Sequence, residues 1–597
     1  MAQAFEPSMK GYAAVFTAPR YFGRTLELPE CAAALARMSF ESVAGRIALL
    51  KHVNDGIYAN PDAPAGQLTR YTERAIDFLF DEGRQDLARE EAASDEKFRP
   101  VADQALLATL ELARLCCPRG GQQWIDSDPL RLDLTHVILS FQDVLLSRDL
   151  QKRLEADPRF EVLGEAGCQE LIRNRIAHNT SRYYRHALGR LFALCRNPEI
   201  DVLVRERTSN KSIHDWFVAG FGLTPDEYLV CSSLVVAPAW ALDLRTPDAT
   251  TCFYRPATYW QLINESVRAK VHALMNLATR PVGEPTQAPD LRLDDFLYDC
   301  CLAHVHPVLD LGLVALCISP HLLMNKFVIG LPYLAQEIAA QRAAPRRLND
   351  GEVTAARSPF GIMFECYVIW LVRKYLSGWT GTEIVSPMWC GSTKEHGECD
   401  LVIIRRDIAF VFEIKTTLAT LAFRRTGSFT GLDAILLEGA EQAYRAAMAL
   451  RAGVAVRASD KKLIDGIRFV VPCVVTYEHI PLYDITASIY ERHLAQASGS
   501  PLFSGENGIE PLQFLDVDFI ESWESKFDLS PNSGAPFGYL MARARDLVLR
   551  YKGIQDGIAA SARPEAPRPF DELINESREF IDTQIRANLQ RPADGAG

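Results

Sequence analysis

Several signatures of common protein classes are absent from the sequence. None of its 14 cysteines forms a Cys-x-x-Cys pair, so the paired-thiol pattern of many zinc and redox sites is missing. No apolar run reaches about 20 residues, the length of a membrane-spanning helix. The most apolar stretch, Leu311–Asn325, contains His321, and we expect it to form a buried helix. The absence of G-x-x-x-x-G-K-[ST] and G-x-S-x-G elements argues against an ATP-driven helicase and a hydrolase with a nucleophile elbow.

The cysteines and the first residues indicate a reducing compartment. Met1–Glu6 contains no basic segment followed by an apolar run, which is the pattern of a secretory signal peptide. The adjacent pairs Cys116-Cys117 and Cys300-Cys301 cannot easily bridge internally. We therefore expect free thiols, a cytoplasmic location and no membrane association.

Length and composition indicate a globular protein with several domains. The 597 residues are 48% hydrophobic, and at roughly 150 residues per domain they predict about three or four domains. The formal net charge of −12 argues against a histone-like protein that attracts nucleic acid over its whole surface. A local basic cleft is compatible with this charge.

Changes in composition and periodicity divide the chain into five predicted regions. These are a helical region at 1–200, a mixed and mainly helical region at 201–345, an α/β domain at 346–495, a C-terminal subdomain at 496–558 and a partly disordered tail at 559–597. Within them, the periodicity favours helices at 294–341 and 570–589 and a β-like segment at 512–517.

The α/β domain has the clearest order of elements. Ser358-Pro359 is typical of a helix start, with a hydroxyl N-cap followed by proline at the first helical position. The predicted elements are a helix from Ser358 to about Ser377, strands at Glu383–Trp389, Cys399–Ile404 and Ala409–Lys415, a helix at Asp433–Arg451 and a strand at Ile467–Tyr477. The order is therefore αβββαβ.

Two of these strands carry the residues that suggest chemistry. Glu413 and Lys415 are two positions apart on one strand, so their side chains share a face. A hairpin with its turn centred on Arg406-Asp407 would place Asp400 opposite Glu413. Directly opposed residues have Cβ atoms roughly 4.5–5.5 Å apart. The pattern therefore predicts a carboxylate pair with the Lys415 ammonium nearby.

A pair of carboxylates at this distance favours a cation between them. The two negative charges repel, and oxygen ligands suit Mg²⁺ or Mn²⁺, which can polarise a phosphoryl oxygen and activate bound water. Lys415 could orient that water, help to deprotonate it or stabilise charge on the phosphorus centre. The alternative is an ordinary surface ion pair, but the strand is otherwise apolar and is expected to be buried, where charges without a function are costly.

This pattern resembles the PD-(D/E)XK, or restriction-endonuclease-like, nuclease superfamily. Gly397-x-x-Asp400 followed by Glu413-x-Lys415, within the αβββαβ order, carries the resemblance over about residues 355–480. It implies a restriction-endonuclease-like α/β core preceded by a large, mainly α-helical N-terminal region. It also implies metal-dependent phosphodiester hydrolysis, with Asp400, Glu413 and the Ile414 carbonyl as metal ligands and Lys415 as the catalytic lysine.

The resemblance extends to accessory residues on the two helices. Many members carry a glutamate on the first helix, a role that Glu365 fits, although a solvated helix charge is the alternative. Some relatives place Gln and Tyr on the following helix. Gln442 and Tyr444 lie in that element, but their spacing departs from the usual Q-x-x-x-Y.

Charge distribution favours nucleic acid as the partner, and we expect DNA rather than RNA. Residues 341–480 carry 18 Lys and Arg against 15 Asp and Glu, a net charge of +3, whereas the rest carries 46 against 61, a net charge of −15. Arg424 and Arg425, with Phe423 and Phe429, could contact phosphates and stack on bases. A solvated loop is the alternative for this segment.

Other readings of the sequence remain open. Arg173-Asn174-x-x-x-His178 resembles the motif of HEPN ribonucleases, in which the Arg and His would act on RNA without metal. A degenerate nuclease fold that only binds nucleic acid is a further alternative. Cys300-Cys301-x-x-His304-x-His306 lacks a second pair at zinc-site spacing, so we expect a largely buried helix with incidental thiols there. We expect the N-terminal helical region to supply target recognition, a protein-partner surface or regulation.

Overall fold

The structure is a computed structural model that describes most of the chain. The described residues are 16–59, 65–93, 101–119, 128–155, 167–169, 171–172, 184–240, 253–254, 260–282, 305–312, 314–390, 397–416, 423, 426–454, 458–478, 482, 484–530, 534–546, 550 and 568–589. All structural statements below refer to these residues.

Helices dominate the first half of the described chain. In chain order they are α1 Ala18–Phe22, α2 Leu28–Leu35, α3 Phe40–Ala59, α4 Ala65–Leu79, α5 Glu82–Ala93, α6 Asp103–Cys116, α7 Asp128–Glu155, α8 Tyr184–Arg196, α9 Pro198–Arg207, α10 Ile213–Phe221, α11 Pro225–Trp240 and α12 Glu265–Ala278. Helix α9 begins at an Asn197 N-cap, whose side chain accepts a hydrogen bond from the Glu199 amide, with Pro198 at the first position. This cap fixes the start of the helix that ends at Arg207.

A small sheet lies where a continuous helical pattern was expected. Its strands are β1 Phe253–Tyr254, β2 Thr279–Pro281, β3 Val308–Asp310 and β4 Ala315–Cys317, in the order β1-β4-β3-β2. The prediction of one buried helix over Leu311–Asn325 is therefore wrong, and so is that part of the helical prediction for 294–341. Strand β4 is wholly buried, and a short apolar run in such a position has the same pattern in a strand as in a helix.

The second half contains a five-stranded mixed sheet between helices. Its elements and the helices that surround them are α13 Pro320–Phe327, α14 Leu331–Ala343, α15 Asp350–Tyr375, β5 Thr382–Val385, β6 Met388–Cys390, β7 Gly397–Cys399, β8 Leu401–Arg405, β9 Ile408–Lys415, α16 Phe429–Arg451, α17 Ala458–Ile464, β10 Phe469–Thr476, α18 Asp484–Ser498, β11 Gln513–Asp516, α19 Val517–Glu521, α20 Trp523–Lys526, α21 Ala535–Arg545 and α22 Pro569–Asn588. The strand order is β11-β10-β9-β8-β5, with β6 and β7 forming a separate pair.

The pairing of β8 with β9 confirms the predicted hairpin register. The strands are antiparallel, with Arg405 opposite Ile408 and Leu401 opposite Phe412. On its other side β9 pairs in parallel with β10, which places Glu413 beside Val474. Strand β9 is therefore interior to the sheet, and its residues Ala409 to Ile414 are buried.

Two of the predicted strands are interrupted. The segment predicted as one strand at Glu383–Trp389 divides into β5 and β6, because Pro387 between them has no amide hydrogen to donate to a continuous ladder. The segment predicted at Cys399–Ile404 divides into β7 and β8, and Asp400 occupies the bend between them. The break frees the Asp400 backbone from both strand ladders.

Both long helices of the α/β part begin earlier than predicted. Helix α15 starts at Asp350 with a capping box made by Asn349 and Glu352, so Ser358-Pro359 is not its start and Pro359 lies inside it. Helix α16 starts at Phe429, after Ser428, whose hydroxyl accepts from the Gly431 amide. These caps satisfy the first amides that a helix leaves without intrahelical partners.

Hydrophobic packing does not follow the predicted boundary at 345/346. One core cluster extends from Ala187 on α8 to Ile574 on α22 and includes Phe364 of α15 and Phe410 of β9. A second core joins helices α1–α7 to Leu309 and other residues of the small sheet. Residues 184–240 therefore share one core with the five-stranded sheet.

The C-terminal elements agree with the periodicity of the sequence. Strand β11 corresponds to the β-like segment predicted at 512–517, and α22 to the helix predicted at 570–589. Phe570 and Ile574 of α22 pack over Gly189 of α8, where a Cβ atom would lie 3.0 Å from the Ile574 side chain. The glycine thus permits close approach of the two helices.

One described helix meets the length and composition criteria for a membrane span. It is Gly351–Tyr375, and 56% of its apolar window is buried inside the protein. The core helix of a soluble protein meets the same criteria. This helix packs on β9 and contributes Phe364 to the core described above.

Candidate active site

Four elements bring the predicted site residues together. Glu413 and Lys415 lie at the end of β9, and Asp400 lies at the bend before the adjacent strand β8. Glu365 comes from α15, and Gln442 comes from α16, which packs against both β9 and β10. The site is thus at the end of an interior strand, where side chains from both neighbouring layers can meet.

Asp400 is held by one backbone amide of β9 and by one side chain from the segment between β5 and β6. The Ile414 amide donates a hydrogen bond to Asp400 Oδ2 at 2.7 Å, and the Ser386 hydroxyl donates to the Asp400 carbonyl oxygen at 2.7 Å. The first bond fixes the Asp400 carboxylate next to β9, and the second fixes its backbone. Within the described part of the chain, no ion pair reaches this carboxylate.

Lys415 connects β9 to helix α16. Its Nζ lies 2.9 Å from Glu413 Oε1 and 3.6 Å from Glu438 Oε1, and it donates a hydrogen bond to Gln442 Oε1. The stem of the lysine passes Gly439, where a Cβ atom would lie 3.1 Å from Lys415 Cγ. A glycine at this point of α16 makes room for the lysine side chain.

Glu365 is paired with an arginine from outside the predicted nuclease-like region. Arg207 Nη1 donates to Glu365 Oε2 at 2.6 Å, and Arg207 Nη2 donates to the Ser386 hydroxyl at 3.1 Å. The two charged side chains are 18% and 23% exposed, respectively. Arg207 therefore belongs to the same polar network as Asp400.

Burial and mutual repulsion raise the pKa values of the three carboxyl groups. Burial, followed by the charge of Asp400, raises the pKa of Glu365 to about 8 and that of Glu413 to about 7. The pKa of Asp400 is also raised, chiefly by burial. Full ionisation of these acids is therefore disfavoured at neutral pH, and a bound cation would favour the ionised forms.

The donor set consists of oxygen atoms, the ligand type that Mg²⁺ and Mn²⁺ prefer, but its carboxylates are not gathered around one point. The group of His, Cys, Asp and Glu whose ligand atoms lie within 4.8 Å of one another, among the described residues, is His186, Asp518 and Glu521. Glu365, Asp400 and Glu413 are not such a group, and Glu365 and Glu413 each contact a cationic side chain. Carboxylate oxygens and a backbone carbonyl are nevertheless the ligands that these hard cations prefer.

The His186 group is an internal ion-pair network. Arg190 binds Glu521 through two nitrogen atoms, at 2.7 and 2.9 Å, and also contacts Asp518 at 2.8 Å. The Tyr367 hydroxyl donates to the same glutamate at 2.7 Å. Since the guanidinium already contacts both carboxylates, this group is a poor cation site.

Several predicted residues are not part of this cluster. Tyr444 is 7% exposed and belongs to a hydrophobic core, because residues two apart on a helix point in different directions. Phe423 and Phe429, predicted to stack on bases, are 2% and 1% exposed. That prediction is wrong: Phe423 packs over Gly431, and the Phe429 ring lies 5.3 Å from that of Tyr490.

Other predictions fall outside the described residues. They concern the basic pair Arg424 and Arg425, the HEPN-like residues Arg173 and His178, and Cys300, Cys301 and His304. They stay predictions.

Sequence reasoning missed Arg207, Ser386 and Glu438. Arg207 is 158 positions from Glu365 in the chain and lies in a segment without a motif. Ser386 precedes a proline, which marks a turn but not a site. Glu438 lies four positions before Gln442 on α16, and this i,i+4 spacing could have predicted the contact between their side chains. Gln442 in turn accepts a hydrogen bond from Lys415.

The sequence and structure have no counterpart in the comparisons made. Comparison of the chain with protein-family models, curated proteins and solved structures finds no match. Membership of the PD-(D/E)XK superfamily therefore stays a prediction that depends on the Asp400, Glu413 and Lys415 spacing and on the order of the elements.

Proposed function

We propose that this protein is a metal-dependent nuclease that hydrolyses phosphodiester bonds, with DNA favoured over RNA as the substrate. The observation that supports this most strongly is the convergence of Glu365, Asp400, Glu413 and Lys415 at the end of a buried strand. Burying this many like charges costs free energy that a purely structural ion pair does not recover. Strongly perturbed carboxyl groups are typical of functional sites.

Asp400, Glu413 and the Ile414 carbonyl are the proposed ligands of Mg²⁺ or Mn²⁺. When bound, such a cation polarises a phosphoryl oxygen and makes its bound water a better nucleophile. The hydrogen bond from the Ile414 amide leaves Asp400 Oδ1 available, and Glu413 needs only to give up its contact with Lys415 to offer both oxygens. Glu365 is the proposed third acid, positioned beside Asp400.

Lys415 is proposed to act as a positive charge rather than as a base. Burial disfavours its ammonium form, but the charges of Glu413 and Glu438 outweigh burial, so the pKa of Lys415 is raised above its usual value. The side chain therefore stays protonated at neutral pH. A fixed ammonium at this place orients the attacking water and stabilises the negative charge that develops on the phosphate.

A cleavage assay with matched variants tests this function. Purified protein is incubated with plasmid DNA, single-stranded DNA and RNA, with Mg²⁺, Mn²⁺ or EDTA. We expect cation-dependent cleavage that Lys415→Ala lowers at least about 100-fold, the usual scale for a lost electrostatic contact in a transition state. Lys461→Ala removes an exposed lysine from α17 and is the control, for which activity should be unchanged.

The outcomes separate the alternatives. Binding of nucleic acid without cleavage, in every cation, would favour the non-catalytic binding module. RNA cleavage that persists in EDTA and is lost in His178→Ala would favour the HEPN-like ribonuclease. Calorimetric titration with Mn²⁺ gives an independent check, because Glu413→Gln should weaken cation binding even if the nucleic-acid substrate has not been found.

A further inference from the structure

The last residue of α9 reaches the candidate site from the helical region. Arg207 donates to the Glu365 carboxylate with one terminal nitrogen and to the Ser386 hydroxyl with the other. Ser386 in turn donates to the carbonyl oxygen of Asp400. A single guanidinium thus links one acid of the site directly and a second acid through one hydroxyl group.

Helix α9 is fixed at both ends against α15, the helix that carries Glu365. Near its start, Glu199 accepts a hydrogen bond from Trp370 Nε1 at 3.1 Å and pairs with Lys374 Nζ at 2.7 Å. Ile200 and Val204 are buried along the same helix. The position of the Arg207 backbone is therefore set by packing, and the guanidinium does not have to be held in place by Glu365 alone.

The geometry uses the planar fork of arginine. Its two terminal nitrogens point to two acceptors that belong to different elements, α15 and the segment between β5 and β6. A lysine at this position would supply the charge but would not hold both acceptors in one plane. The contact thus fixes a relative position as well as neutralising a charge.

We propose that Arg207 is a positioning residue of the nuclease site, which holds Glu365 and the Asp400 bend in the arrangement that cleavage requires. The inference rests on the proposed function. It gives helix α9, which precedes the predicted α/β domain, a direct part in the site, in addition to the recognition or regulatory role expected of the N-terminal helical region. Residues 346–495 alone would lack this contact.

Kinetics of Arg207 variants test the proposal. We expect Arg207→Gln to lower kcat about 10- to 100-fold, since small displacements of reacting groups have effects of this size, with KM for nucleic acid changed less than about threefold. Arg207→Lys should recover part of the loss, because it keeps the charge. The control is Arg205→Gln on the same helix, an exposed arginine paired with Asp201, which should match the wild type.

A double-variant comparison distinguishes positioning from general stabilisation. If Arg207 acts through Glu365, Arg207→Gln combined with Glu365→Gln should cleave no more than about threefold more slowly than the slower single variant, because the two residues act as a unit. The proposal would be overturned if the rate losses of the two single variants multiplied in the double variant. It would also be overturned if Arg207→Gln were as active as Arg205→Gln. A change confined to KM would also overturn it.

Urea unfolding of the same four proteins in EDTA is a readout independent of cleavage. The change in the free energy of unfolding of the double variant should differ from the sum of the changes in the two single variants, because the two side chains share one contact. Independent effects would refute the link itself. If the effects of the two substitutions on the free energy of unfolding are coupled but the protein cleaves no substrate, the nuclease function is refuted, and with it the positioning role.

Discussion

Two clusters of buried charged residues in this molecule differ in their access to solvent. The first lies in the helical core, where Lys51, Asp55 and Asp103 are 0%, 1% and 3% exposed. The second is the candidate active site, where Glu413 is 4% exposed but the Lys415 and Glu365 side chains are 20% and 23% exposed. The first cluster is closed to solvent, and the second is partly open.

The helical cluster satisfies each carboxylate oxygen. Lys51 Nζ contacts both Asp55 Oδ1 and Asp103 Oδ2. The second oxygen of Asp55 accepts from the Ser319 hydroxyl and the His321 amide, and that of Asp103 accepts from Asn54 Nδ2 at 3.0 Å. Every acceptor has a donor from the protein, so the cluster joins α3 and α6 to the start of α13.

The carboxyl groups of the candidate-site cluster are less completely hydrogen-bonded, because among the described residues each has a donor on one oxygen only. Its three acids face two cationic side chains, and burial together with their repulsion raises the pKa values of Glu365 and Glu413 to about 8 and about 7. Burial of charge therefore does not distinguish the two clusters. Each cluster also has one more carboxyl group than cationic side chains. The difference is that, among the described residues, each candidate-site carboxyl group has a donor on one oxygen only, next to a partly exposed opening, and this is the feature that suggests a bound cation.

The largest expected effect comes from removing the central lysine of the closed cluster. Lys51→Met would leave two carboxylates buried without a counter-charge, and we expect it to lower the free energy of unfolding by about 3–5 kcal/mol. Lys415→Met should cost less, about 1–2 kcal/mol, because water reaches the open site. Urea unfolding measures both variants. Equal losses of stability would mean that solvent access does not change the cost of removing the lysine.

The second expected effect is that Glu413→Gln is more stable than the wild type at high pH. The pKa of Glu413 is about 7 in the folded protein, against an ordinary value of 4.5, so the folded state binds more protons between these values. Stability therefore falls as the pH rises from about 4.5 to about 7. Without divalent cations, Glu413→Gln should be more stable than the wild type by about 1–3 kcal/mol at pH 8 and nearly equal to it at pH 4.5.

The control for this pH effect is a neighbouring glutamate. Glu438 contacts the same lysine, but its side chain is 78% exposed. Urea unfolding of Glu438→Gln should show no gain at pH 8. A gain of the same size in both variants would show that removing any negative charge near Lys415 is sufficient, and that burial of Glu413 is not the cause.

The smallest expected effect separates the two accessory residues on α16. Gln442 contacts Lys415, so Gln442→Ala should slow cleavage about tenfold, a moderate loss for one hydrogen bond that orients the charged group. Tyr444→Phe removes only a hydroxyl from a core residue, and cleavage should stay within about twofold of the wild type. Initial rates at saturating substrate measure both, and a larger loss for Tyr444→Phe would contradict the placement of these residues.

Local pattern was sufficient to predict the part of the site that lies on one hairpin. The period of two along a strand placed Glu413 and Lys415 on one face, and the position of the turn gave the observed pairing of Arg405 with Ile408. Both inferences depend on residues close together in the sequence. The bend at Asp400 had no such signal.

Contacts between distant segments could not be predicted in this way. Arg207 meets Glu365 only because α9 packs along α15, and this packing depends on a core that spans much of the chain. At Phe423 and Phe429 a local pattern predicted a surface role for side chains that the fold buries. Aromatic residues beside two arginines are typical of a nucleic-acid surface, yet the space above Gly431 and beside Tyr490 buries both rings.

The position of α22 has a consequence for how the protein is made. Ile574 belongs to the same core as Val204 of α9 and Phe364 of α15, so that core is not complete until residue 574 has been synthesised. A chain that stops earlier would contain Asp400, Glu413 and Lys415 while the core shared by α9 and α15 is incomplete. For the proposed nuclease this order would be protective, because unfinished chains would carry the acidic residues in an incompletely packed protein.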